Sequence, residues 1–405
     1  MDKGFGKKLL VAGALAAGAG ALAIAPRLSM DKRRYRVPGI PDVPYAHRGL
    51  HDAGSGLTAD HDGSESAAYV SLARAMAVRA GYASADFPRS IAPENSLAAF
   101  AAACEAGYGI ELDLQLTADG QVVVVHDSDL ERVAGDPRRV ADLTYAELVD
   151  IPLFPQPARP GDAAAQPLDA ANTGAPDGYY QHVPLFADVL RVVAGRAPLI
   201  VEYKFDDYEW TGRDDELMEK GDALLRAYDG PYVIESFHPG AVNWYKENRP
   251  EVNRGQLAEA APFGTSRKDF AEWSAGLLAF DWLGRPDFVA YDWHGGSSPQ
   301  VRLARAMGAT TVSWTVRSAA ELNESAPYFD RFIFESFVPE EAGAGTDEAA
   351  GSGEGGAAGS AGAAGSAGSG TGKADAVDRA AVGADAVDAG SGADAVAAAW
   401  EAAGK

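Results

Sequence analysis

Apolar residues recur along this chain in two alternating rhythms. Short runs of four to eight read as strands, and stretches with a three-to-four residue repeat read as helices. A helical pattern over 67–80 places Tyr69, Leu72, Met76 and Ala80 on one face. A second helix is predicted to enter at Pro93-Glu94-Asn95-Ser96 and to stop at Gly107. The run from Gly109 alternates apolar residues with Glu111 and Asp113, and Val122 to Val125 forms another strand. Further strands are expected at 198–204, 232–237, 255–257, 288–292, 311–316 and 331–334, with helices at 183–195, 214–228, 240–248, 300–307 and 319–324. Strands alternating with helices predict an α/β fold with a mainly parallel sheet. About eight strands over roughly 300 residues suit a TIM-type (β/α)8 barrel better than an open sheet. One join departs from that rhythm: Thr117 to Gln121 is too short for a crossover helix and reads as a hairpin.

The two ends break away from the pattern. Lys7 and Lys8 precede an uncharged apolar run, Leu9 to Ala25, and Arg27, Lys32, Arg33, Arg34 and Arg36 follow it. Its length sits at the lower edge of the roughly 17 to 25 residues that span a hydrocarbon core. The run reads as a membrane anchor or as a signal peptide, Ala21-Leu22-Ala23 having the small-x-small form that precedes cleavage. Membrane association through residues 9–25 is therefore expected, with the face open and export after cleavage the alternative. Residues 340–405 are an acidic Ala/Gly/Ser-rich tail with almost no large apolar side chains, too few to offset the entropy of ordering, and are expected to be disordered. Residues 1–36 are thus a signal or anchor segment, 37–339 the folded unit and 340–405 a tail.

Composition adds two exclusions. A net charge of −23 argues against a nucleic-acid partner, which needs a basic surface. The single cysteine, Cys104, rules out an intramolecular disulfide.

Candidate chemistry collects at strand ends. Glu111 and Asp113, two apart, share one face of a strand, and like charges that close call for a cation, for which a divalent metal with hard oxygen ligands is well suited. His126 and Asp127 follow the Val122 strand, Glu202 and Lys204 share a strand face, and His47-Arg48-Gly49 follows a short extended segment. In order along the chain, His47-Arg48-Gly49, Pro93-Glu94-Asn95-Ser96, Glu111-x-Asp113, His126-Asp127, Asp142-Leu143-Thr144 and Glu202-x-Lys204 resemble the glycerophosphodiester phosphodiesterase family. The resemblance implies a TIM-type barrel, one divalent ion (magnesium or calcium), and hydrolysis of glycerophosphodiesters to glycerol 3-phosphate and an alcohol. On that reading Glu111, Asp113 and Glu202 ligate the metal, and Arg48 and Lys204 bind phosphate. His47 and His126 form the acid-base pair, with His126 assigned to the leaving group and His47 to the nucleophile, an order the sequence leaves open. Glu94 and Asn95 fit the family motif near the metal, although helix capping explains them equally well. Trp314 and Phe237 are candidates for an apolar wall, with ordinary core packing the competing account.

Two departures from the resemblance stand out. About forty residues separate His47-Arg48-Gly49 from the Pro-Glu-Asn segment where the family has few, and this insertion, about 51–90, is expected to leave the barrel beside the metal and lie over the mouth as a lid or against a bilayer. Glu335-Ser336 stands where a Thr-Asp pair is common, and Arg317 where an asparagine is usual. The substrate is expected to be a small-molecule or lipid-derived phosphodiester. Two alternatives are a related phosphodiesterase acting on lysophospholipid or phosphoinositide, and a non-catalytic membrane-tethered binding protein.

Overall fold

In the computed structural model the described residues are 18–27, 37–57, 65–84, 86–87, 90–154, 181–206, 209–264 and 266–339. The expected tail, the loop over 155–180 and most of the N-terminal segment lie outside them. Eight parallel strands close on themselves: β1 (Tyr45–Ala46), β2 (Gly109–Leu116), β6 (Leu199–Tyr203), β7 (Tyr232–Ser236), β8 (Arg254–Ala258), β9 (Phe288–Asp292), β10 (Thr310–Val316) and β11 (Arg331–Phe334). Closure comes from β1, which pairs with both β11 and β2. This is the predicted (β/α)8 barrel. The short β1 zips only onto Gly109 and Ile110 of β2, which leaves the upper half of that edge free. There β3 (Val122–Val124) folds back antiparallel, as the short join requires. A separate two-stranded ribbon, β4 (Asp129–Leu130) and β5 (Asp136–Arg139), follows.

Period-two alternation explains why barrel strands are buried throughout. On β2, Ile110, Leu112, Leu114 and Leu116 pack outward against the helices, so Glu111, Asp113 and Gln115 point inward. Tyr45, Ile200, Val233, Leu257, Phe288, Ala290, Val312 and Ile333 fill the lower interior as an apolar plug. Tyr45 lies so close to Gly109 that a Cβ there would stand 2.6 Å from its ring. The polar layer sits above this plug, at the C-terminal ends of the strands.

The helix of the insertion does not take the expected place over the mouth, and residues 58–64 of the insertion lie outside the described residues. Helix α1 (Ala67–Arg79) buries Tyr69, Ala73 and Ala77, and packs against helix α2 (Leu97–Ala106) and, through Tyr69, edge-on to Phe334 of β11. It therefore stands in the outer ring beside the β11–β1 seam rather than across the mouth. Its small alanine face lets the two helices approach closely, and Ser66 caps it while donating its backbone N–H to the Ser336 carbonyl. Asp52 ties down the far end of the insertion by accepting from Arg74, Ser90 and the backbone N–H groups of Ile91 and Ala92. A helix over Arg267–Gly276, which the pattern did not indicate, lies between β8 and β9.

At the opposite end of the barrel, Arg27 is buried on the N-terminal ends of β8 and β9, 2.9 Å from Asp287 and bonded to the Val252 carbonyl. Arg285 accepts its place there by donating to the carbonyls of Leu22 and Ala25. Among the described residues no helix is long and apolar enough to cross a membrane.

His51, in the insertion, is buried with Nδ1 3.4 Å from Glu65 and Nε2 3.9 Å from Glu335. Burial opposes its charge, but the Glu335 and Glu65 carboxylates outweigh it and push its pKa up to about 10. A folded pKa above the unfolded value of about 6.5 adds stability that is complete below pH 6.5 and is lost as pH rises through 10. Urea melts of the wild type and His51→Gln should therefore show the widest gap near pH 6 and a narrowing gap toward pH 10. A gap that widens with pH would contradict the ion-paired placement.

Candidate active site

Strand register assembles the acids. In the parallel ladders Asp113 stands opposite Glu202, and Glu202 opposite Glu235, all on inward faces, with Glu111 one inward position lower on β2. Glu111, Asp113 and Glu202 each bring a carboxylate oxygen to within 4.8 Å of the others, and all three are buried. Burial and the neighbouring carboxylates push Glu111 well above the usual carboxylate range, Arg48 offsetting part of this. Burial likewise lifts Glu202 to about 7, although Lys204 opposes it. Asp113, against its burial, is held down by His126, Lys204, Arg48 and Asn95. Like charges confined this closely are stable only with a cation or bound protons among them. The donors are all hard oxygens, and buried Asp113 Oδ1 and Asn95 Oδ1 have no hydrogen-bond partner. That set fits a divalent ion of the magnesium or calcium type.

Two side chains and a turn surround the acids. Arg48 adopts a left-handed backbone (φ +56°), which aims its N–H at Glu111 Oε2 at 3.0 Å, while its guanidinium reaches Glu94 at 3.0 Å and Asp113 at 3.6 Å. The turn requires Gly49 (φ +83°), whose Cβ would stand 2.9 Å from the Ala99 backbone of α2. Lys204 lies 3.1 Å from Glu202, 3.7 Å from Asp113 and 3.1 Å from His126 Nε2. Capping of α2 belongs to Ser96, which accepts from the Ala99 N–H, so capping does not explain Glu94 or Asn95. Asn95, also left-handed (φ +53°), donates to Asp113 at 2.9 Å. Glu94 is turned away from the acid cluster and binds Arg48 and Arg132 instead, the latter through two bonds of 2.7 and 2.8 Å. These cations hold Glu94 down to about 2 in spite of its burial.

Both motif histidines face this cluster. His47 continues the β1 ladder by donating its N–H to Phe334, and its Nε2 lies 3.9 Å from Glu111. Its Nδ1 is 2.5 Å from Glu335. His126 reaches the same level because β3 runs back along β2, and the Gln115 amide donates to the carbonyls of Val125, His126 and Asp127 to fix that loop. His126 Nδ1 is 2.5 Å from Asp127, which Arg132 also holds. Burial first, then Arg48 and Lys204, bring His126 down to about 4. Each imidazole thus has a carboxylate on Nδ1, with His47 Nε2 turned toward Glu111 and His126 Nε2 toward Lys204.

Phe237 and Trp314 meet edge-on at 5.5 Å on top of the apolar plug, and Lys204 lies 5.9 Å above the Phe237 ring. Both are partly buried and pack against the plug from above. A cleft lined by Lys204, Phe205, Asp206, Glu209, Thr211 and Arg213 opens beside them.

Three participants carried no sequence signal that singled them out. Arg132 joins Glu94 to Asp127 from five residues beyond Asp127, a spacing that means nothing until the β4 turn brings it back. Glu335 appeared only as a departure. Glu235, buried beside Glu202, has an Oε2 without a partner and is pushed well above the usual range by burial and by Glu202 and Asp113.

The profile of the glycerophosphoryl diester phosphodiesterase family matches residues 83–332. That span includes Glu94 through Trp314 and begins after His47 and Arg48. A glycerophosphodiester phosphodiesterase of Bacillus altitudinis is 31% identical over 168 residues, 41% of this chain and 61% of that protein. One of Caldanaerobacter subterraneus is 49% identical over 169 residues, again 41% of this chain and 61% of its own length. The chain thus spans about three fifths of these curated relatives. The solved structure of an Oleispira antarctica phosphodiesterase in complex with sn-glycerol-3-phosphate aligns over 76% of this chain and 97% of that one, with TM-score 0.49 and 19% identity. With the match covering most of the barrel and the acids converging inside it, this chain belongs to the glycerophosphoryl diester phosphodiesterase family.

Proposed function

We propose that this protein hydrolyses glycerophosphodiesters to glycerol 3-phosphate and an alcohol, with His47 and His126 as the acid-base pair and one divalent ion, magnesium or calcium, held by Glu111, Asp113 and Glu202. The observation that carries the reading is the placement of two carboxylate-backed imidazoles around a buried triad of acids in a barrel of this family. A bound ion would supply Lewis-acid polarisation of a phosphoryl oxygen.

The side chains account for the rest. A phosphodiester anion entering above the triad meets Arg48 and Lys204, the cations that face it. Lys204 then turns from His126 Nε2 to the phosphate, and the anion offsets the positive field that keeps His126 neutral, so His126 can take up a proton. His47, with Nδ1 engaged by Glu335, keeps the Nε2 lone pair free to accept the proton of the attacking oxygen, from water or from the adjacent glycerol hydroxyl. His126 returns a proton to the departing alkoxide. The plug of Tyr45, Phe288 and Val312 below the acids keeps water from entering from beneath. An N-terminal tether, if residues 9–25 serve as one, would join the barrel near Arg27, at the end away from the mouth, an arrangement that favours substrates already released into water over intact bilayer lipid.

Two outcomes are expected. Magnesium or calcium at about 100 times its Kd should stabilise the protein by about 2.7 kcal/mol. Thermal melts of Glu111→Gln should lose that shift, while the metal-free variant stays as stable as wild type or more so because a like charge is gone. A retained shift would place the ion elsewhere. With glycerophosphocholine and metal, His47→Ala and His126→Ala should each lower kcat by about 10²- to 10⁴-fold. Steady-state assays in which wild type shows no chelator-sensitive turnover would favour the binding-protein alternative, and turnover confined to lysophospholipid would favour the lipid-directed one.

A further inference from the structure

Glu335 directly follows β11, and continuing the β1–β11 register that pairs Tyr45 with Ile333 and Ala46 with Phe334 carries it opposite His47. Its carboxylate is buried yet has four neighbours from three parts of the chain. Oε2 lies 2.5 Å from His47 Nδ1, and Oε1 accepts from Arg317 Nε at 2.5 Å and from Ser55 Oγ at 3.3 Å. His51 Nε2 stands 3.9 Å away, its other nitrogen facing Glu65. Ser55, His51 and Glu65 all belong to the insertion, whose helix is locked beside β11 by the Ser66–Ser336 backbone bond and the Tyr69–Phe334 ring contact.

We infer that Glu335 is the positioning residue of His47, and that His51, Ser55 and Glu65 of the insertion serve to hold Glu335 in place. A carboxylate on Nδ1 selects the tautomer whose Nε2 is an acceptor and stabilises the imidazolium formed when that nitrogen takes a proton. The hydrogen bonds from Ser55 and Arg317 and the nearby His51 cation stop the carboxylate from rotating away or turning to a metal among the acids. Burial would favour the neutral acid, but His47, His51 and Arg317 together keep Glu335 well below the usual range, so it stays anionic as the role demands. The arrangement parallels His126–Asp127–Arg132, in which an arginine also steadies the carboxylate. Glu335 touches neither substrate nor the acid triad; it acts through His47, and this inference takes His47's role from the function proposed above.

The test uses the full chain with ¹⁵N-labelled histidine. In the wild type, nitrogen-correlated proton spectra should show His47 protonated at Nδ1, with a far-downfield resonance that disappears in Glu335→Gln and, for assignment, in His47→Gln. With glycerophosphocholine, Glu335→Gln should lower kcat by about 100-fold or more. KM and the Kd for manganese, measured by calorimetry, should stay within about 3-fold, because neither binding step uses the group. His51→Gln should lower kcat by about 10-fold, the milder effect of loosening the carboxylate. A wild-type His47 protonated only at Nε2 overturns the inference without any variant, so a Glu335→Gln chain that fails to fold would not rescue it. A kcat within about 3-fold of wild type, or a kcat loss matched by loss of manganese affinity, also overturns it. Absence of wild-type turnover would instead defeat the proposed hydrolysis, and the tautomer would still decide whether Glu335 holds His47.

Discussion

Three carboxylates crowded into the barrel's upper interior impose the constraint that the rest of the site answers. Removing a carboxylate from water is costly, and each like-charged neighbour adds to that cost. Hence the surrounding architecture: Arg48 bent into a left-handed turn so that both its backbone and its guanidinium face acids, Lys204 shared among Glu202, Asp113 and His126, and Asn95 turned inward from the start of a helix. Arg48 and Lys204 bring two positive charges to three carboxylates and leave a surplus of negative charge, while burial and its acidic neighbours press Glu235 toward its neutral form. An electrostatic deficit of this kind amounts to a preformed cation site.

The scaffold makes the constraint bearable. Strands buried on both faces let Ile110, Leu112 and Leu114 anchor β2 to the helices, so the inward positions need not supply hydrophobic stabilisation there. The plug below is apolar, and confines polarity to one end of the barrel. Short β1 leaves the upper edge of β2 open to β3, and that hairpin is why a histidine remote from every parallel strand end arrives beside Asp113.

Much of this was legible because it rests on local periodicity. Residues two apart on a strand share a face in any sheet, so Glu111 with Asp113 and Glu202 with Lys204 could be paired from spacing alone, and five residues between Leu116 and Val122 left room only for a hairpin. What escaped depends on contacts far apart in sequence. The helix at 67–79 showed its period but not its partner, and only the closed barrel reveals a seam between β11 and β1 for it to cover. Arg132 and Glu335 are ordinary charged residues until a turn and a strand register set them beside histidines. Glu94 looked like a metal neighbour because of its motif, whereas Arg48 and Arg132 draw its carboxylate sideways.

The proposed chemistry requires one cation held jointly by Glu111, Asp113 and Glu202. Anomalous diffraction from crystals grown with manganese addresses it directly. A cation held by all three gives a single strong peak within ligand distance of one oxygen from each of these carboxylates, roughly 2.0 to 2.6 Å away as for hard divalent ions. A peak bound elsewhere, or an ordered barrel mouth with no peak at saturating manganese, would contradict it.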